Sequence, residues 1–296
     1  MLHNAKILNF GSLNIDHVYH IDTFITPGET KLSQSLNKFA GGKGNNQSIA
    51  LAKAGAMVYH AGAVGKDGQF LLDNLKKENV NTDYIYIDPQ NATGHAIIQV
   101  NNQGENCILL HGGANQAITV NYINHVLSNF TKGDILLIQN EISNLDKIIE
   151  LAGAKEMVIY FNPAPMCTKL LNYPLEYIDT FIVNQPEGMA LTNGSTSEEI
   201  LDRMTKLFPT SKVILTLGDR GVIYQDQNQR IPQSAYPVEA VDTTAAGDTF
   251  LGYFLASLQK NIAINKALDI ACRAASITVT RQGATSSIPY LSELNI

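Results

Sequence analysis

The 296-residue chain has no tryptophan, and its three cysteines (Cys107, Cys167 and Cys272) lie far apart with no C-x-x-C pair. An odd number of scattered cysteines does not build a disulfide framework, so a reducing compartment is expected. Basic charge is not in excess: 21 Lys and Arg stand against 27 Asp and Glu, a net charge of −6. Such a chain presents no basic face, and nucleic acid is not an expected partner. No window reaches the roughly 18 uninterrupted apolar residues of a membrane span. The start, MLHNAKILNFGSLN, has neither a basic lead into an apolar run nor a cleavage-type site. A cytoplasmic protein without a membrane partner is the expectation. The seven histidines show no metal-ligand spacing, which argues against zinc. Three signatures are also missing: the Walker loop G-x-x-x-x-G-K-[ST], the dinucleotide turn G-x-G-x-x-G and the nucleophile elbow G-x-S-x-G. Their absence removes the P-loop, dehydrogenase and serine-hydrolase readings.

What is present is a rhythm of strands and helices. KILNFG (6–11), MVYHAGAVG (57–65), DILLIQ (134–139), MVIYFNP (157–163), YIDTFIVN (177–184), KVILTLG (212–218) and VIYQ (222–225) read as strands. Helices are expected in GGKGNNQSIALAKAGA (41–56), GQFLLDNLKKENV (68–80), ITVNYINHVLSNF, NLDKIIELAGA (144–154) and SEEILDRMTKLF (197–208), and in two apolar segments near the C-terminus. Alternation of this kind implies an α/β fold, a mostly parallel doubly wound sheet covered by helices on both faces. Two stretches, 15–39 and 93–111, contain only strand signals. They are expected to pair as a small β lid on a single domain spanning 1–296.

Polar clusters recur just past the strand ends, where open α/β sheets place ligands. SLNIDH (12–17) carries Asn14 and Asp16 on one side of an extended chain, GGKGNNQ (41–47) carries Gly41, Gly42, Gly44, Lys43, Asn45 and Asn46, and Glu141 follows DILLIQN. Each has a plain alternative: an Asx turn, a flexible helix start, a loop acid. Amides suit hydroxyl-rich ligands because they both donate and accept. Asn184 and Glu187 in VNQPEG are equally consistent with a polar helix start, and TLGDRG (216–221) with a β-turn. DTTAAGDTF (242–250) is the most pointed cluster. Ala245, Ala246 and Gly247 leave the N–H groups of a helix start uncovered, and such a start attracts oxygen-borne negative charge. Asp248 in the first turn is either a complement to the helix dipole or a base beside an anion cradle.

In this order the pieces resemble the ribokinase group of the PfkB family of carbohydrate kinases. The resemblance runs from GSLNIDH through PGET (27–30), AGGKGNNQ (40–47), GENCILLHGGAN (104–115), NPAP (162–165), TLGDRG and DTTAAGDTF to VTRQGATSSIP (279–289). It implies a doubly wound core with a β lid, a homodimer formed through that lid, and ATP-dependent phosphorylation of D-ribose at the 5-hydroxyl with Mg²⁺ and a monovalent cation, K⁺. By that resemblance Asn14, Asp16, Gly42, Lys43, Asn46 and Glu141 bind the sugar. Asn184, the turn Thr216, Leu217, Gly218, Asp219, Arg220 and Gly221, and Gly247 bind ATP, and Glu187 completes an N-x-x-E pattern tied to magnesium and phosphate. Asp248 is the base, and Ala245, Ala246 and Gly247 form the anion hole. Asp242, Thr244, Thr278, Arg281, Gly283 and Ser287 form the cation site. Cys272 departs from the pattern, standing where relatives often carry a polar group near the adenine. Kinases for another neutral sugar such as fructose, or for a nucleoside, remain alternatives, as does a non-catalytic sugar-binding regulator.

Overall fold

The computed structural model describes residues 5–294, so the two ends of the expected 1–296 span lie outside it. The chain opens with β1 (Ile7–Phe10), β2 (Asn14–His20), β3 (Ser35–Gly41), α1 (Lys43–Lys53), β4 (Val58–Gly65), α2 (Gln69–Lys77), β5 (Asn81–Asp88), β6 (Gly94–Val100) and β7 (Asn106–His111). It continues with α3 (Val120–Leu127), β8 (Ile135–Gln139), α4 (Leu145–Ala154), β9 (Val158–Asn162), β10 (Thr180–Asn184), α5 (Gln185–Thr192) and α6 (Ser197–Leu207). The last elements are β11 (Lys212–Thr216), β12 (Val222–Gln225), β13 (Arg230–Gln233), α7 (Ala246–Gln259) and α8 (Ile264–Val279).

Among the described residues, nine strands form one sheet in the order β13-β12-β11-β10-β9-β8-β1-β4-β5. Strands β5 to β11 of this sheet run parallel, and β12 and β13 add an antiparallel edge. β1 and β8 are buried along their whole length, as expected of strands covered on both faces. Their side chains alternate between two apolar layers: Ile7, Ile135 and Leu137 pack under α1, α2, α7 and α8, and Leu8, Phe10, Leu136 and Ile138 pack under α3 to α6. The strand order reverses between β1 and β8, so the crevice at their carboxyl ends is the topological switch point.

The two β-only stretches build a separate four-stranded sheet, order β3-β2-β6-β7. β2 pairs with β6 in parallel and the other two pairings are antiparallel. Two edge strands, β5 and β13, were not among the expected elements. β13 carries Pro232, which weakens any strand signal and is tolerated at an edge because no ladder donor is needed there. Helices α1 and α7 meet backbone to backbone. A Cβ on Gly252 would come within 2.8 Å of the Ala50 carbonyl carbon and the Leu51 nitrogen, and this closeness brings the start of α7 against the start of α1.

Candidate active site

The crevice is closed by short local contacts. Gly44 brings the start of α1 against the turn after β1, where a Cβ would lie 2.7 Å from Gly11 Cα. Gly42, with φ of 89°, caps α1 in a conformation other residues rarely adopt. The Ser12 hydroxyl donates to Glu141 Oε2, and the Lys43 backbone N–H donates to the same oxygen at 2.9 Å. Glu141, past β8, is thereby tied to β1 and α1 across the switch point. Asn14 is held from behind: Asn115 Nδ2 donates to its Oδ1 at 2.8 Å, while the Asn115 side-chain oxygen Oδ1 accepts from Leu13 N at 3.0 Å. The Asn14 amide nitrogen is left to face the crevice as a donor.

Asp248 sits in the first turn of α7, 8% exposed. Asn46 Nδ2 donates to its Oδ2 at 3.0 Å and Gln47 Nε2 to its Oδ1 at 2.8 Å. An acid that merely complements a helix dipole has no need of two buried amide donors from another helix. Asn46 Oδ1 is buried without a partner among the described residues. Ala245 caps α7 in the left-handed region, φ 61°, with no side-chain cap. The Ala246 N–H makes a long turn bond to Thr243 O at 3.3 Å. The N–H groups of Ala245, Gly247 and Asp248 have no partner among the described residues, and the space beside Gly247 is empty to 4 Å. Of the three small residues, only Ala246 has its N–H engaged, so an anion at this helix start would meet the free N–H groups of Ala245, Gly247 and Asp248.

On the far side of Gly247 lies a cleft of about 560 Å³. Thr216, Gly218, Asp219 and Gly221 line one wall, Tyr236, Val238 and Ala240 another, and Cys272, Ala275 and Ser276 from α8 a third. Leu217 instead packs against the core and Arg220 binds Gln185 Oε1 at 2.6 Å, so these two members of the turn point away from the cleft. The buried thiol of Cys272 is pushed up to about 12, so it meets a ligand as an uncharged surface. Asn184 and Glu187 form a reciprocal capping box at the start of α5: Glu187 N donates to Asn184 Oδ1 at 2.8 Å and Asn184 N to Glu187 Oε2 at 3.0 Å. The helix-start reading of VNQPEG holds, but Glu187 also feels Lys43 and Asp248 electrostatically.

Of the expected cation residues, Asp242 and Gly283 are in direct contact, Gly283 N donating to Asp242 Oδ2 at 2.9 Å, and Thr244 N donates to Asp242 Oδ1 at 2.9 Å. The Thr278 hydroxyl is engaged with Thr249 and Ala274, and the Ser287 hydroxyl with the Ala284 carbonyl. The Arg281 guanidinium is turned to Glu293 at 2.7 Å. Burial would raise the Asp242 carboxyl, yet the bonds from Thr244 and Gly283 outweigh it and hold the group below the usual range. No cluster of three or more His, Cys, Asp or Glu able to hold a metal occurs among the described residues.

The acids of the crevice are crowded. Burial, then the nearness of Glu141, pushes the Asp16 carboxyl up to about 6. Burial also raises Glu141 and Glu187. Lys43 is raised: burial alone would lower it, but Asp248, Glu141 and Glu187 together prevail. Between about pH 4 and 6 the folded protein holds a proton on Asp16 that the unfolded chain has released, so stability falls as pH rises through that window. Asp16→Asn is expected to raise the melting temperature above pH 6, with the gain vanishing below pH 4. A gain independent of pH in thermal melts would contradict this origin.

Several participants carry no expectation from the sequence: Ser12, Gln47, Asn115 and the cleft wall 235–240. Gln47 lies one residue past Asn46 and could have been noticed in GGKGNNQ. The wall has no periodicity to find. Against known proteins, a family model described as pfkB family carbohydrate kinase matches residues 4–291. The chain is 34% identical to a ribokinase of Staphylococcus aureus (strain COL), covering 98% of each chain, and 35% identical to one of Bacillus subtilis (strain 168), again over 98% of each. In structure it is similar to a ribokinase of Cryptococcus neoformans var. grubii in complex with ADP, with TM-score 0.87, 32% identity and 99% of each chain covered. It is also similar to Arabidopsis thaliana ribokinase complexed with ribose and ATP, with TM-score 0.87, 28% identity and 98% and 97% covered. The match over nearly its whole length places the chain in the pfkB family of carbohydrate kinases.

Proposed function

We propose that the chain transfers the γ-phosphoryl group of ATP to the 5-hydroxyl of D-ribose. One observation carries the reading: Asp248 is held by Asn46 and Gln47 at an uncapped helix start, between a crevice of hydroxyl-binding groups and a cleft of nucleotide size. Asp16 accepts no hydrogen bond from the described residues and is free to grip sugar hydroxyls, with Asn14 and Glu141 beside it. Gly42 and Lys43 would close the far side of the sugar. Asp248 takes the proton of the 5-hydroxyl as that oxygen bonds to the γ-phosphorus and ADP leaves. The Gly247 N–H faces the negative charge in transit, in a reaction governed mainly by positioning and charge stabilisation. Magnesium on the nucleotide phosphates would be held through Glu187 and would neutralise phosphate charge. A monovalent cation beside Asp242, Thr244 and Gly283, reached also by the backbone of Thr278, Arg281 and Ser287, would stiffen the loop that shapes the cradle.

The four-stranded sheet carries Asp16 on β2, so as a lid it would exclude water from the reacting groups. Its outer strand β7 is exposed along its whole length. Phe39, Ile108 and Leu110 share the Asp16 face of this sheet, and all three are exposed. Apolar surface of this kind on a soluble protein marks an interaction site, and we assign it to a second copy of the chain.

Assayed for ADP release across neutral sugars, deoxy-sugars and nucleosides, the protein is expected to prefer D-ribose; a panel led by another acceptor would overturn the substrate. A deoxy-sugar is the acceptor to watch, since the chain is also 29% identical to a deoxyribokinase of Salmonella typhi. Asp248→Asn keeps the size of the side chain and removes the proton acceptor, and is expected to lower kcat roughly 10²–10⁴-fold. Turnover within about threefold of the parent would exclude Asp248 as the base. Rates with K⁺ should exceed those in buffer free of K⁺ and Na⁺ severalfold, and Asp242→Asn should flatten that response; identical parent rates would refute the cation site. Light scattering should find a dimer that Ile108→Asp converts to monomers, whereas a monomeric parent would refute the lid interface.

A further inference from the structure

Asp248 meets amide donors and not amide acceptors, and the reason lies deep in the core. Asn9 of β1, Gln139 of β8 and Gln47 of α1 are all fully buried. Asn9 Nδ2 donates to the Gly44 carbonyl at 2.7 Å and to Ser48 Oγ at 2.8 Å. A carbonyl oxygen can only accept, so the Asn9 nitrogen must face Gly44 and its oxygen must face Gln139. Gln139 Nε2 then donates both ways, to Asn9 Oδ1 at 2.9 Å and to Gln47 Oε1 at 2.6 Å. With its oxygen so engaged, Gln47 presents Nε2 to Asp248 Oδ1 at 2.8 Å. A second anchor gives the same sense. Asn162 Nδ2 donates to the Ile182 carbonyl at 3.0 Å, which leaves Asn162 Oδ1 facing Gln47 Nε2 at 3.3 Å.

We infer that Asn9, Gln139 and Gln47 form a directional amide relay that sets the orientation of the Asp248 carboxylate, with Gln139 as a positioning residue remote from substrate. Two backbone carbonyls, on α1 and on β10, fix the donor sense of the relay. At its far end Ser48 Oγ lies 2.8 Å from His60 Nδ1, and burial pushes His60 down to about 4, so no charge enters the relay from that side. Gln139 Oε1 has no partner among the described residues, so the residue is held there by its two donated bonds alone. Simple core filling at β8 would be met by an apolar side chain, as at its neighbours Leu137 and Ile138.

The inference rests on the reading of Asp248 as the base, and two measurements separate their fates. Gln139→Glu keeps the shape but offers Gln47 an acceptor, turning the Gln47 oxygen toward Asp248; Gln139→Met removes the donor without reversing the relay. Gln139→Glu is expected to lower kcat about 10- to 100-fold, and more than Gln139→Met. The nucleotide KM should stay within about twofold in both, because the lost interaction is not a binding contact for ATP. An unaltered kcat in Gln139→Glu, or a loss as large in Gln139→Met, overturns the relay. Independently of catalysis or of how the Gln139 variants fold, the Gln47 side-chain amide protons of the unsubstituted protein should be protected from exchange by NMR. Their shift should move in Asp248→Asn. Freely exchanging Gln47 amide protons would overturn the relay even in an active kinase, and protected ones would support it even if no sugar were phosphorylated.

Discussion

The bond between Asp248 at the start of α7 and the two amides of α1 is the contact on which the site depends. It joins elements 201 and 202 residues apart in the chain, and it forms because the helices approach backbone to backbone at Gly252. Without that approach the uncapped start of α7 would face solvent as a frayed helix end. With it, a carboxylate and a set of bare N–H groups share one small volume. The cleft proposed for the nucleotide lies on one side and the crevice proposed for the sugar on the other.

The arrangement concentrates charge that a merely stable protein would avoid. Glu141, Glu187 and Asp248 surround a single lysine, with Asp16 beside Glu141, and burial raises Asp16, Glu141 and Glu187. Lys43 answers by holding its proton more tightly than burial alone would permit. Strain of this kind is tolerated where function requires it, and it appears again in the left-handed Ala245. Asp16 accepts no hydrogen bond from the described residues, whereas Glu141 is already committed to Ser12 and Lys43 and Glu187 to Asn184.

Much of this was legible in the order of residues. The doubly wound sheet followed from apolar runs such as ILLIQ alternating with amphipathic helices, and the second sheet from the two stretches that lack helix signals. Asn14, Asp16 and Glu141 could be singled out because each lies just past a strand end, but an Asx turn or a loop acid explained them equally well, and their sugar-binding role came from the resemblance alone. Asp248 was ambiguous by spacing, since a helix dipole attracts an acid whether or not it reacts; the resemblance implied a base, and the amides of Asn46 and Gln47 that hold it support that proposal. Asn9 and Gln139 were illegible for the opposite reason. They sit inside runs that read as core, and the hydrogen bonds that justify them come from strands and helices far away in sequence. The 235–240 wall has no period of either kind, and only tertiary placement against α8 gives it a role.

The regiochemistry of the product tests the central claim most directly. A ¹H–³¹P correlation spectrum of D-ribose incubated with ATP, Mg²⁺, K⁺ and the protein should show phosphorus coupled to the two protons on C5, because Asp248 and the Gly247 cradle address a primary hydroxyl presented from the crevice. Phosphate on any other carbon, or ATP consumed with no sugar phosphate formed, would contradict the account.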